Sequence, residues 1–263
     1  MAERGSGLDW AVALFRRSVP KQRKLAEVAE MLGPTAGLRC LDLGSDNGVV
    51  SLLLRERGGS WASGDLTEEA VASIRSLVAE DVHLVHGDSL PFPDASFDRV
   101  AVVDMLEHVP DEAGFARELA RVTKPGGLLV VNTPHLKRTA LRRLRHALGQ
   151  TDEKHGHLRP GYTAERLREL LSPGFALERH RTYSRFFSEA VDAALNWGLE
   201  RLGKSASAKG MVVTGGDLAR HRKTFRAYSA IYPLVRAVTR LDALVPASGY
   251  MLIASLRRRA PGS

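Results

Sequence analysis

The chain is 263 residues long, 44% of them hydrophobic, with 38 lysines and arginines against 30 acids and a formal charge of +8. That length suits one elaborated domain with a sizeable core. The single cysteine, Cys40, excludes an internal disulfide, and no stretch of about eighteen apolar residues offers a membrane span. The first ten residues, MAERGSGLDW, lack the apolar run of a secretory signal, so a cytoplasmic address is expected.

From Trp10 to Leu32 the pattern predicts one or two short helices, broken at Pro20 and ended by Gly33-Pro34. This segment, 1–37, is expected to cover a crevice, with Trp10 and Phe15 anchoring it. LRCLDLGSDNG then reads as a buried strand (Leu38, Cys40, Leu41, Leu43) running into a turn built on Gly44 and Gly48, followed by a helix. Bare backbone at those glycines would let a ligand approach the free N–H groups of the helix start. Asp65 ends a second apolar run, Asp88 a third and Asp104 a fourth, and acids at the carboxyl ends of parallel strands line one crevice. Asp65 is followed by Thr67, Glu68 and Glu69, a helix cap with acids in the first turn, and a carboxylate so placed can accept both hydroxyls of a ribose.

Beyond Asp104, the run DMLEHVPD holds Asp104, Glu107 and His108, a set able to hold a divalent ion; we expect no metal and read these residues as ordering the loop. A helix over Asp111–Val122, a tight turn at Lys124–Gly127 and a fifth strand at Leu128–Asn132 follow. HLKRTALRRLRHALG reads as a basic amphipathic helix. HGHLRPGYTAERLRELL places His155, His157, Arg159 and Tyr162 ahead of a helix capped by Thr163. Strands six and seven are expected at Phe175–Ser184 and Tyr250–Arg257, and the long connection between them, 185–248, must hold structure of its own. Helical spacing of Phe187, Val191 and Leu195, then of Ile231, Leu234, Val235 and Val238, makes it a helical cap, with a mobile loop over GKSASAKGMVVTGGD. The stretch from Phe186 to Ser263 has 12 basic and 5 acidic residues, seven of the eight net charges, which suits an anionic surface.

On LDLGSDNG, GDSLPFPDASFD, DMLEHVPD and LARVTKPGGLLVVNTP, the chain from Leu38 to Ser184 resembles the class I S-adenosylmethionine-dependent methyltransferases, within them the ubiquinone and menaquinone biosynthesis branch. Asp46 stands where that family usually has a glycine. The resemblance implies an α/β, Rossmann-like, doubly wound sheet of seven strands with strand seven antiparallel. The core is expected at 38–184, with the helical cap inserted at 185–248 where that family has a short antiparallel hairpin, and a last strand with a basic tail at 249–263. S-adenosylmethionine is the implied cofactor. Asp42, Gly44, Asp46, Gly48, Asp65, Leu66, Asp88, Ser89 and Asp104 would form its site, with Asp65 on the ribose and Asp88 and Ser89 at the adenine. The loop of His155, His157 and Tyr162 would face the acceptor, one histidine (with His135 a further candidate) serving as general base. A small or lipid-linked acceptor follows, O- or C-methylated, with an anionic membrane face as partner through the cap and a place at its inner side. A nicotinamide oxidoreductase is the weaker alternative, because it wants a G-x-G-x-x-G turn and here only Gly44 and Gly48 appear, with three residues between them. The other alternative is a methyltransferase-like binding module without activity.

Overall fold

The computed structural model describes residues 11–45, 47–87, 89–137, 141, 157–201 and 215–260. The basic run after Pro134 and the loop after Gly203 fall almost wholly outside them. A helical stretch over 11–15 leads into α1 (Val19–Leu32), where Pro20 sits in the first turn and starts the helix rather than breaking it. Then come β1 (Arg39–Leu43), α2 (Val49–Arg55), β2 (Ser60–Asp65), α3 (Glu68–Val78), β3 (Val82–Leu84), β4 (Phe97–Val103), α4 (Glu112–Val122) and β5 (Thr123–Pro134). After β5 the described elements are α5 (Ala164–Leu171), β6 (Phe175–Tyr183), α6 (Phe186–Arg201), α7 (Gly215–Arg240) and β7 (Met251–Arg258).

The strands form one sheet in the order β3-β2-β1-β4-β5-β7-β6, with β7 antiparallel to both neighbours and the rest parallel. Strand order reverses between β1 and β4, so the chain leaves these two neighbours in opposite directions and opens a crevice at their carboxyl ends. The apolar runs do what their composition requires, since Leu41, Leu43, Val100, Val102, Leu129 and Val131 are buried on one face and Cys40, Ala101, Val103, Val130 and Ile253 on the other. Burial pushes the Cys40 thiol up to about 12, so this side chain behaves as a small core residue. The third strand stops at Leu84, short of Asp88, and the chain turns through a bridge between His86 and Ser89. The fifth is longer than its apolar core, with a register shift where Lys124–Gly127 loops out. The predicted caps are present: Thr67 accepts from the Ala70 N–H and Thr163 from the Arg166 N–H, both at 3.2 Å.

Two clamps fix what surrounds the crevice. Glu27 of α1 is buried and pairs with Arg181 of β6. On the other side, Glu118 of α4 accepts from Arg121 Nε at 2.7 Å and from the Leu90 N–H at 2.8 Å, and Arg121 donates to the carbonyls of Leu90 and Phe92. This pair pins the loop that follows β3. The Arg121 guanidinium holds the Glu118 carboxyl below its usual range against the opposing effect of burial. A folded-state value below the unfolded one stabilises the fold above about pH 4.3 and loses that contribution as pH falls through it. Glu118→Gln is therefore expected to cost about 1.5 to 3 kcal/mol at neutral pH, with the gap to the parent closing in urea melts taken near pH 3.

Candidate functional site

The crevice begins where β1 hands over to α2. Gly44 has φ +84° and donates its N–H to the Gly64 carbonyl at 3.0 Å; Gly48 has φ +81° and forms the left-handed cap of α2. A Cβ on Gly44 would stand 2.3 Å from the Val103 carbonyl oxygen, and one on Gly48 would stand 2.7 Å from the Ile74 Cα. These glycines were expected to admit a ligand to bare backbone. The structure adds that the neighbouring strand and helix themselves exclude any side chain there.

Asp42 requires a correction. Its carboxylate has no exposed surface and faces inward, accepting from the hydroxyls of Ser45 (2.5 Å), Ser51 (2.6 Å) and Ser63 (2.8 Å), with Arg55 at 3.4 Å. It holds the turn from beneath and is not offered to a ligand. Asp46, Asp88 and His155 lie outside the described residues.

At the end of β2, Asp65 is partly buried, and its Oδ1 accepts from the Leu66 N–H at 2.8 Å, which turns the carboxylate back over the strand end. Leu66 lies beside it, packed against the core, and Ser89 is exposed one strand further on. A carboxylate able to take two hydroxyls, an apolar side chain beside it and bare backbone at Gly44 fit a nucleoside whose ribose sits at Asp65.

Asp104 follows β4 with φ +47°, and its carboxylate accepts from Asn132 Nδ2 at 2.7 Å and pairs with Lys24 of α1. Asp104, Glu107 and His108, the set weighed and set aside as a metal site from the sequence, do not come together. Asp104 belongs with α1, and Glu107 and His108 meet His157, with ligand-capable atoms of all three within 4.8 Å of one another. The two imidazoles stand edge to face with centroids 4.9 Å apart. The two segments are tied together by the Leu158 N–H, which donates to the Glu107 carbonyl at 3.0 Å, and by Arg159, which donates to the carbonyls of Val109 and Pro110.

Tyr162 is the second correction. Its ring is 1% exposed, its hydroxyl donates to the Leu106 carbonyl or to Glu112 at 3.0 Å, and burial pushes its pKa up, with the Glu112 charge adding to the effect. It fastens the acceptor-side loop and is not placed to react. His135 bonds through Nδ1 to the Gly249 carbonyl at 2.9 Å and joins the end of β5 to the start of β7. The clamps formed by Glu118 with Arg121 and by Lys24 with Asp104 were not read from the sequence. The side-chain spacing of α4, with Glu118 and Arg121 three apart, was the available signal for the first.

Residues 41–131 match the family model of a Methyltransferase domain. A ubiquinone biosynthesis O-methyltransferase of Ralstonia nicotianae is 37% identical over 39% of this chain and 45% of its own length. A demethylmenaquinone methyltransferase of Tropheryma whipplei is 37% identical over 39% of this chain and 44% of its own. The match thus spans less than half of these relatives. Among solved structures, the [4+2]-cyclase SpnF superposes with a TM-score of 0.61 over 91% of this chain and 82% of that one at 21% identity. The YcgJ protein of Bacillus subtilis does so with 0.57 over 91% and 99% at 18%. Residues 41–131 are therefore similar to a methyltransferase domain, and the chain shares the Rossmann-like sheet of these solved structures, as the motifs implied.

Because Val103 and Met105 crowd Gly44, Gly44→Val is expected to lose the folded state together with the site, seen as a collapsed thermal transition in circular dichroism. Asp42→Ala removes the shared acceptor of three hydroxyls and a guanidinium, at a cost of about 3 to 5 kcal/mol in denaturant melts.

Proposed function

We propose that this chain transfers a methyl group from S-adenosylmethionine to an oxygen or carbon of a small-molecule or lipid-linked acceptor. The observation that carries the reading is the crevice at the β1/β4 reversal, with Asp65 at the neighbouring strand end, inside the stretch that matches the family model. When bound, the cofactor supplies a methyl group on a sulfonium centre, open to in-line displacement. Asp65 accepts the ribose hydroxyls, Leu66 offers an apolar face, and the turn at Gly44 presents backbone. The corner of Glu107, His108 and His157 is where an acceptor hydroxyl would be held and lose its proton, an imidazole being a base suited to neutral pH. The relatives named for quinone-type acceptors support a small molecule as substrate. The oxidoreductase alternative lacks two of the three glycines of its turn, Asp46 and Val49 standing in their places after Gly44, and the family match favours a working enzyme over a binding module.

A specific observation supports the membrane reading of the cap. Phe186, Ile231, Leu234 and Leu244 are exposed, Leu234 by 66% and Leu244 by 78%, with Arg226, Arg236 and Arg240 exposed on the same helix and its continuation. The expected apolar stripe is thus divided, with Val235 buried and its neighbours open. Among the described residues no helix is long and apolar enough to cross a membrane. Apolar side chains flanked by arginine suit the boundary of an anionic bilayer, which would place the chain at a cytoplasmic membrane face.

Calorimetric titration should show S-adenosylmethionine binding and no NAD binding, and Asp65→Ala should weaken the former by about 1.5 to 3 kcal/mol; NAD binding alone would overturn the reading. The acceptor would be named by mass spectrometry of an extract incubated with the chain and deuteromethyl-labelled cofactor. For the cap, co-sedimentation with phosphatidylglycerol vesicles but not phosphatidylcholine vesicles is expected, released by salt and lost in Leu234→Ser with Leu244→Ser. Equal pelleting with neither vesicle at low salt would leave the cap as a cover for a soluble acceptor.

A further inference from the structure

We propose that the groove between α1, the end of β6 and the cap seats the phosphoryl group of a phosphate-bearing acceptor, held by Arg236 and Arg240. The inference rests on the methyl-transfer reading and narrows its acceptor to one chemical class. The groove has a volume of about 840 Å³, within the range of small-molecule sites.

The charges of the lining decide what it attracts. Its two acids are already occupied. Glu30 takes both oxygens to Arg181, at 2.7 and 2.6 Å. Asp242 caps the start of α6, accepting from the Arg185 N–H at 2.7 Å and the Phe187 N–H at 2.8 Å. Three of the arginines are occupied as well: Arg23 pairs with Glu27, Arg181 with Glu27 and Glu30, and Arg185 donates to the Asp242 and Val245 carbonyls. Arg236 and Arg240 also line the groove, and among the described residues neither guanidinium is bonded or paired. The groove is left with two uncompensated positive charges and no uncompensated negative one.

Their spacing selects the anion. Tyr232, Arg236 and Arg240 follow one another at intervals of four along α7, so they share the helix face that lines the groove. Four residues of helix rise about 6 Å, which sets the two guanidiniums one turn apart. Each offers a planar fork of donors. A carboxylate has two oxygens and is used up by one fork, whereas a phosphoryl group directs three oxygens apart and can bridge two. The width of the groove is braced at the same place, because Gln22 Nε2 of α1 donates to the Tyr232 hydroxyl at 3.0 Å and Arg17 lies over the Tyr232 ring.

The groove adjoins the crevice. Tyr183 lines it from β6, donates its hydroxyl to Asn132 Oδ1 at 2.5 Å, and Asn132 donates to Asp104 at the end of β4. On α1, Arg23 and Ala26 line the groove while Lys24 pairs with Asp104, so one helix borders both spaces. A phosphate anchored in the groove leaves the rest of the acceptor free to extend toward the strand ends. Binding energy gained at this remote, unreactive group can then hold the nucleophile in position.

The test is calorimetric titration of the full chain with pyrophosphate as the probe. One equivalent should bind, and Arg236→Gln with Arg240→Gln should weaken it by about ten- to a hundredfold, as expected for loss of charge-assisted bonds. Both side chains are exposed, so the double variant should keep the parent's circular-dichroism melt. Arg226→Gln, on the same helix but outside the groove lining, should leave pyrophosphate binding unchanged. No pyrophosphate binding, an equal loss in Arg226→Gln, or succinate binding as tightly as pyrophosphate overturns the proposal. Displacement by glycerol 3-phosphate, against displacement by a short-chain phosphatidic acid, identifies whether a soluble ester or a lipid carries the phosphate; displacement by neither overturns the assignment to an acceptor. S-adenosylmethionine titrations on the same samples keep the two readings apart. Cofactor binding without pyrophosphate binding refutes the anion site alone, and pyrophosphate binding without cofactor binding refutes methyl transfer alone.

Discussion

The buried carboxylate of Asp42 is the constraint on which the crevice depends. A carboxylate with no exposed surface is tolerable only if its lone pairs are taken up, and here four donors from three elements converge on it. Ser45 belongs to the turn, Ser51 and Arg55 to α2, and Ser63 to β2, so one charge fixes the spacing of two strands and the helix that leaves between them. The turn above cannot relax without breaking bonds to that charge. Gly44 and Gly48 then adopt left-handed backbone because the space on their side-chain faces is already filled by β4 and α3. Backbone that would face a nucleoside is thereby held before any ligand arrives, which lowers the ordering cost of binding.

Much of the fold was legible because it rests on continuous apolar runs and short-range punctuation. Strands two and four running out at Asp65 and Asp104, the caps at Thr67 and Thr163, and the Gly126 turn are all local signals, and the strand order followed from the resemblance they carry. What was not legible depends on direction and on distance along the chain. Whether Asp42 points into the crevice or beneath it is decided by which face of β1 it occupies, and the hydroxyls that claim it are only placed once α2 and β2 have packed. Asp104 looked like a partner of Glu107 in sequence, but its left-handed backbone turns it to α1. His157 reaches His108 only because β5 and the segment ahead of α5 return to the same sheet edge, a contact no window of residues contains. Tyr162 was chosen for its chemistry, and burial removes that chemistry.

The core leaves the choice of reaction to its surroundings. A chain titled a [4+2]-cyclase shares this fold across nine-tenths of the present chain, so the sheet alone does not dictate methylation. Beside the sheet, α1, the end of β6 and the cap come together. A groove of about 840 Å³ lies between them, lined by Arg23, Arg181, Arg185, Arg236, Glu30 and Asp242. Arg181 is committed to Glu27 and Glu30, and Arg185 to the Asp242 and Val245 carbonyls, so part of this charge braces the groove. The exposed Arg236 and Arg240 are the part left to meet solvent or a ligand.

Sorting the acids of the crevice by what they touch assigns their work more firmly than position alone. Asp42 is balanced from within by hydroxyls and Arg55, and Asp104 by Lys24 and Asn132, so both serve the frame. Asp65 stands at a strand end, oriented by the N–H of its own neighbour. Glu107 is buried against Thr133 and shares its corner with two imidazoles, the one place among the described residues where a carboxylate and two nitrogen bases converge. Two of the four carboxylates, Asp42 and Asp104, therefore hold the walls. That role follows from packing: an acid clasped by lysine or arginine has its charge balanced by the protein and is held by the elements that carry those cations.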